Sequence, residues 1–109
     1  MSLPGLAEAL AAQARAGRTI SYGDLARQLA IPGPGAIAKL TAALEALMAE
    51  DAAANQPLRA ALCHSRLGNG QPAPGFFDMA RHLGRFDGTD PAGFVAAERA
   101  SLFKAAATA

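Results

Sequence analysis

The stretch GRTISYGDLA, residues 17–26, decides the fold that we predict for this chain. Ser21 can accept a hydrogen bond from the free backbone N–H groups of the turn that follows it, which is the chemistry of a helix N-cap. Asp24 lies three positions later, where a carboxylate can complete a capping box and interact favourably with the helix dipole. A short capped helix that is followed by a Pro/Gly turn and a longer helix is the outline of a helix-turn-helix.

Helical patterns lie on both sides of this stretch. Leucines at i and i+4, with alanines beside them, predict a first helix over Leu3–Ala16, which Gly17 ends. The second helix is predicted over Tyr22–Leu29, and the proline–glycine segment Ile31–Gly35 cannot continue it. The longest helix is predicted over Ala36–Ala53, with a buried stripe at helical spacing that consists of Ile37, Leu40, Leu44, Leu47 and Met48.

The second half of the chain mixes strand, loop and helix signals. Leu58–Leu67 is predicted to be a strand, and Gly68–Gly75 is a turn-rich loop of the kind that forms a wing or a hairpin tip. Helical spacing resumes over Phe76–Leu83, and a last helix follows residues 87–91 with Thr89 or Asp90 as its cap. We therefore predict one domain over residues 1–109. Its class is α+β but mostly α, a winged helix-turn-helix with a small β hairpin or sheet.

Composition limits the classes of function. The formal charge of +1 over 109 residues gives no strong overall attraction to polyanions, although basic residues exceed acids between residues 58 and 86. The single cysteine, Cys63, excludes an internal disulfide and a multi-cysteine zinc site, and it favours a reduced, cytoplasmic setting. No apolar run is long enough to span a bilayer, so we expect no membrane partner. Neither a phosphate-binding glycine motif nor a catalytic carboxylate pair is present, and no cofactor is expected.

The quoted stretch resembles the start of the DNA-binding domain of alkylguanine-DNA alkyltransferases and alkyltransferase-like proteins. Its glycine, β-branched residue, Ser-Tyr pair and Leu-Ala pair follow that family's pattern. Further on, residues 55–66 (NQPLRAALCHSR) are similar to the family's Asn-Pro and Pro-Cys-His-Arg motifs. The resemblance covers residues 3 to about 75, and it implies a winged-helix domain in which Tyr22 meets a DNA phosphate.

The sequence departs from that family's pattern at three places. The proline before the cysteine is Leu62, and the arginine after Cys-His is Ser65, with Arg66 one position late. The family's arginine near the start of the recognition helix falls near residues 36–37, an alanine and an isoleucine, and neither can fill the gap left by a rotated nucleotide. The chain also resembles small bacterial proteins with a Tyr-Gly-Asp/Glu-Leu-Ala helix and a later Pro-Gly-Phe-Phe segment. In those proteins the Cys63 position is an ordinary apolar strand residue.

Five residues are candidates for contacts with duplex DNA: Tyr22, Arg27, Lys39, Arg59 and Arg66. The four cations would bind phosphates. Such contacts position a protein on the duplex but do not recognise the base sequence. Each cation has the alternative of a solvated surface position, so they matter as a group if they share one face. Tyr22 has two open interpretations. It either contacts a phosphate, as the resemblance implies, or packs its ring on the first helix with its hydroxyl in water.

Cys63 is the single candidate nucleophile. A thiolate needs a lowered pKa, and the neighbouring His64 would point to the opposite face of a strand, so it cannot serve as the direct partner. A small buried thiol that packs as a hydrophobe is the favoured interpretation. We therefore predict no catalytic residue and no metal site.

These observations support three hypotheses. The leading one is a non-enzymatic module that binds double-stranded DNA, with the Pro34–Lys39 end of the third helix near the major groove. The alternative is a protein–protein interaction or homodimerisation module that uses the acidic end of the third helix and the Ala-rich last helix. Alkyl transfer to Cys63 is the third. A shared face for the four cations beside Tyr22 favours DNA, and an acid among them favours a protein partner.

Overall fold

The computed structural model describes residues 3–108, which form five α-helices, one 3-10 helix and two short strands. In chain order the elements are α1 (Leu6–Ala16), β1 (Ile20–Ser21), α2 (Tyr22–Gln28), α3 (Ala36–Ala53), the 3-10 helix (Arg59–Leu62), β2 (Cys63–His64), α4 (Pro74–His82) and α5 (Pro91–Ala107). The fold is thus mostly helical with a small sheet, as predicted. Residues 1, 2 and 109 of the predicted domain lie outside the described residues.

The quoted stretch folds as its local chemistry predicts. Gly17 ends α1 in the left-handed conformation with a φ of 66°, and its N–H returns to the carbonyls of the last turn. Ser21 caps α2, because its hydroxyl oxygen accepts a hydrogen bond of 3.1 Å from the backbone N–H of Asp24. The first helix begins at Leu6 rather than Leu3, since Gly5 has a φ of 84° and that conformation interrupts a right-handed helix.

α3 has the predicted bounds and carries most of the predicted stripe into the core. Leu40, Leu44, Leu47 and Met48 are buried. Ile37 is the exception, because 48% of its surface is exposed. It lies in the first turn of α3 at the rim of a groove that α3 forms with Tyr22 and the start of α4. The prediction that Ile37 is buried was wrong.

The strand predicted over Leu58–Leu67 is also wrong for most of its length, because a 3-10 helix occupies residues 59–62 and β2 has two residues. Residues 60–63 are all buried, so the alternation of a half-buried strand is absent. Two backbone N–H groups of this segment donate hydrogen bonds to carboxylates that are distant in sequence. The N–H of Leu58 donates to Glu98 at 2.8 Å, and the N–H of Arg59 donates to Asp51 at 2.9 Å. These groups are therefore not free to pair with a neighbouring strand.

The sheet consists of β1 and β2, which run parallel with Ile20 opposite Cys63 and Ser21 opposite His64. Residues 65–73 form a loop that has no strand of its own in the described chain, and the Ser65 N–H closes it onto the Gln71 carbonyl at 2.9 Å. α4 begins at Pro74, two residues before the predicted start, because proline is well suited to the first position of a helix. The small β element is therefore a parallel pair and not a hairpin.

α5 closes the core. Asp90, one of the two predicted caps, accepts a hydrogen bond of 3.1 Å from the N–H of Gly93. Aromatic rings pack between α4, α5 and the segment that joins them, with the Phe86 and Phe94 ring centres 4.8 Å apart. This cluster and the buried face of α3 pack α4 against the core.

Candidate nucleic-acid interface

The N-terminal half of α3 lies largely on the surface. Ile37, Ala38, Lys39 and Thr41 are exposed, and residues 36–44 contain no acid. Gly35 is the N-cap residue with a φ of 83°, and no side chain within residues 3–108 caps the helix. The free N–H groups of the first turn and the positive end of the helix dipole therefore face the surroundings without a neighbouring carboxylate on the same turn.

Arg27 and Arg66 meet at one acid. Both contact the carboxylate of Asp24 in the first turn of α2, and the Arg66 guanidinium lies 3.6 Å from it. A side-chain hydrogen bond from the Ser21 hydroxyl to the carboxylate holds the pKa of Asp24 below its ordinary value, and the two guanidinium groups act in the same direction. All three side chains are more than half exposed. The fold thus brings two predicted cations together, but with an acid between them and a net charge of +1.

Lys39 lies near the end of α2. It borders a shallow groove with Leu29 and the segment at residues 30–32, and Arg27 occupies the last turn of the same α2 helix. Lys39 therefore lies beside the C-terminal end of α2, whereas the acid that binds Arg27 and Arg66 lies in the first turn of that helix. We call the exposed residues Arg27, Arg66, Asp24 and Lys39, whose charges sum to +2, the α2–α3 surface.

Arg59 is not part of this surface. Its side chain binds the buried carboxylate of Asp51, with the Nε atom 2.9 Å from one oxygen and an Nη atom 2.8 Å from the same oxygen. Asp51 is twelve residues beyond Lys39 on α3, or about 18 Å along the helix at 1.5 Å per residue. Arg59 therefore stabilises the segment after α3 at the opposite end of that helix from Lys39.

Tyr22 is half-buried at the start of α2. Its hydroxyl oxygen accepts a hydrogen bond of 3.0 Å from the backbone N–H of Ala73, which ties α2 to the residue before α4. Burial raises the pKa of Tyr22, and the hydrogen bond from Ala73 partly offsets that increase. Neither interpretation from the sequence included this contact. The phenol remains protonated, so its O–H can still donate to an acceptor.

Cys63 occupies the core. Its side chain is fully buried, and burial raises the pKa of the thiol to about 12 despite the charge of Arg99. A thiol of this pKa is almost entirely protonated near neutral pH, so it is a poor nucleophile. The geometry fits the interpretation of Cys63 as a packing residue and gives no support to alkyl transfer.

Two polar residues of α5 determine how the segment after α3 is held, and sequence reasoning missed both. Arg99 donates to the carbonyl of Ala61 at 2.7 Å and to that of Gly70 at 2.9 Å. Glu98 accepts from the N–H of Leu58 and from Arg85 at 3.2 Å. Neighbouring residues of opposite charge on a helix are common, so no sequence signal distinguishes this pair from surface charges.

An apolar groove of about 100 Å³ opens between the start of α2, the first half of α3 and the start of α4. Tyr22, Ile37 and Phe76 are among its lining residues, and Glu45 contributes a carboxylate. Within residues 3–108, no group of three or more histidine, cysteine or acidic side chains is placed to hold a metal ion. None of the helices described here has the length and apolar character needed to cross a membrane.

Comparison with known proteins adds no relative. No family model, no curated protein and no solved structure matches this chain. The resemblance to the alkyltransferase-like DNA-binding domain therefore stays a prediction that rests on the motifs at residues 17–26 and 55–66.

Proposed function

We propose that this domain is a non-enzymatic module that binds double-stranded DNA through the α2–α3 surface. Asp24 among the cations and the separate position of Arg59 count against this proposal. It rests on one observation, the exposed, acid-free N-terminal half of α3, which follows α2 and its Pro/Gly connection. In helix-turn-helix proteins the N-terminal residues of the second helix contact base edges in the major groove. Ala38 and the methyl group of Thr41 are small enough for close approach, and such side chains contact thymine methyl groups.

Phosphate contacts in this proposal come from Arg27, Lys39 and Arg66. Three contacts neutralise few phosphates, so binding is weak and falls steeply with salt. An affinity in the range of non-specific complexes, with a Kd of about 10⁻⁴ to 10⁻⁶ M at physiological salt, is expected. Asp24 opposes binding, because its carboxylate lies between two of the three cations.

The finer fold assignment, a winged helix-turn-helix, is part of this proposal. The order of α1, β1, α2, α3 and β2 supports it, and the loop at residues 65–73 stands in the place of a wing. The described residues contain no β-hairpin, because the one sheet pairs β1 with β2. The structure differs in this respect from the winged fold with a hairpin that the sequence predicts. In this proposal Tyr22 fixes α2 against the loop by accepting a hydrogen bond from Ala73, and its hydroxyl group donates a hydrogen bond to a phosphate.

A second candidate function is a protein-interaction module on the same scaffold. Asp24 within the cationic surface favours it, since a surface of mixed charge suits a folded partner better than a polyanion. The exposed Ile37 beside the apolar groove would supply the buried centre that such an interface needs. Sedimentation of the purified chain over a range of concentrations tests self-association directly.

Fluorescence anisotropy with a labelled generic duplex tests DNA binding. We expect saturable binding at low salt that weakens at moderate salt. Lys39→Ala should lower the affinity, whereas Lys104→Ala, which removes an exposed lysine of α5, should not. Absence of binding by the unmodified protein at low salt, or equal losses in the two variants, would overturn the proposal.

A further inference from the structure

Leu67 is the most exposed large apolar side chain of the described residues. Its relative exposure is 97%, whereas nearly all other leucines are buried or half-buried. It lies at the tip of the loop over residues 65–71 and follows Arg66, whose side chain is 68% exposed. An apolar side chain at such a tip adds nothing to the core of the domain.

Backbone hydrogen bonds and a contact from α5 fix the conformation of the loop that carries Leu67. The Gly68 N–H donates to the Ser65 carbonyl at 3.1 Å, and the Gln71 N–H donates to the Gly68 carbonyl at 2.8 Å. A Cβ atom at Gly68 would lie 3.0 Å from the Gln71 carbonyl oxygen, so the turn is fitted to glycine. Arg99 holds the loop from behind through the Gly70 carbonyl. The fold therefore presents the tip in a defined position.

The position of the tip connects it to the α2–α3 surface. Arg66 reaches Asp24 in the first turn of α2, so Leu67 lies at the edge of the surface that carries Arg27. A phosphate backbone that contacts Arg27 and Arg66 would run past the loop. The groove next to that backbone would then face Leu67.

We propose that Leu67 acts as an apolar wedge that enters the minor groove and partly unstacks a base step when the domain sits on duplex DNA. This inference rests on the proposed function. Leucine is one of the side chains that DNA-bending proteins insert in this way, typically with kinks of about 20–90°. Arg66, the residue before Leu67, favours the polyanion. A single leucine also offers far less apolar area than the amphipathic helices that bind lipid surfaces.

The test combines two measurements on the full chain with a generic duplex labelled at both ends. Anisotropy reports binding, and energy transfer between the end labels reports bending. We expect the unmodified protein to bind and to shorten the end-to-end distance. Leu67→Ala should bind but lose the change in energy transfer, and Leu67→Phe should retain it because phenylalanine is also a wedge residue. Both substitutions are at an exposed tip, so folding is unaffected.

The outcomes separate this inference from the proposed function. Binding by the unmodified protein without bending, or equal bending by Leu67→Ala, overturns the wedge and leaves DNA binding intact. No binding by any variant overturns both proposals. Binding to vesicles of phosphatidylserine and phosphatidylcholine that requires Leu67, with no bending of DNA, also overturns the wedge and assigns the tip to a lipid surface.

Discussion

Replacing Arg59 by alanine distinguishes a residue that stabilises the fold from one that binds DNA. The substitution removes three charge-assisted contacts from Asp51, at 2.9 Å, 3.2 Å and 2.8 Å, and leaves that carboxylate with the backbone N–H of residue 59. Breaking a buried ion pair on one side costs about 3–5 kcal/mol. The Arg59 side chain is 33% exposed, so water reaches part of the pair. We therefore expect a loss of about 2–3 kcal/mol in the free energy of unfolding.

Thermal and urea unfolding, followed by circular dichroism, measure this loss. For a chain of this length, 2–3 kcal/mol corresponds to a decrease of roughly 10 °C in Tm. Lys104→Ala is the matched control, since an exposed cation away from any buried pair should change stability by no more than about 0.5 kcal/mol. In a double-mutant cycle with Asp51→Ala, the coupling energy should be about 1–3 kcal/mol.

The same Arg59→Ala variant should retain its affinity for duplex DNA below its unfolding transition. An unchanged Tm together with a loss of DNA affinity would refute the reasoning, because it would mean that the guanidinium is engaged with phosphate rather than with Asp51.

Three further predictions follow from the ionisable groups. The tyrosinate absorbance of Tyr22, the one tyrosine of the chain, should appear above its ordinary pKa of 10.0. The folded state favours the neutral phenol, because the pKa of Tyr22 is raised on folding. The contribution of Tyr22 to the free energy of unfolding is therefore present below pH 10.0 and is lost as the pH rises through the folded-state pKa. A titration midpoint at the ordinary value would contradict the buried position of Tyr22. Cys63 should resist a thiol reagent at neutral pH until denaturant is added, and rapid labelling of the native protein would disprove its burial. Asp24→Asn should increase the DNA affinity by about threefold at low salt, which is the effect of one charge about 7 Å from a phosphate in water. Anisotropy titration measures that change, and unchanged or weaker binding counts against the α2–α3 surface.

Local signals in the sequence predict the first half of the fold well. The Ser21 cap and the left-handed Gly17 are decided within one or two turns of the chain, so nearby residues contain the information. The bounds of α3 follow from proline and glycine before it and from a regular apolar stripe within it. The Arg27–Asp24 pair is likewise readable, since residues three apart share one face of a helix.

The segment after α3 escapes prediction because distant side chains decide its structure. The N–H of Leu58 is held by Glu98, which lies 40 residues away, and Arg99 holds the carbonyls of Ala61 and Gly70. The sequence around residues 58–67 contains no trace of these partners. For the same reason the pairing of Arg59 with Asp51 removes a predicted phosphate contact, and the approach of Arg66 to Asp24 could not be foreseen.

The salt dependence of duplex binding measures how many phosphates the α2–α3 surface contacts. Three phosphate contacts, at about −0.9 each, give a slope near −2.7 for the logarithm of the binding constant against the logarithm of salt concentration. Lys39→Ala should make that slope less steep by about one. No binding at low salt, or equal slopes for the unmodified protein and the Lys39→Ala variant, would contradict the account.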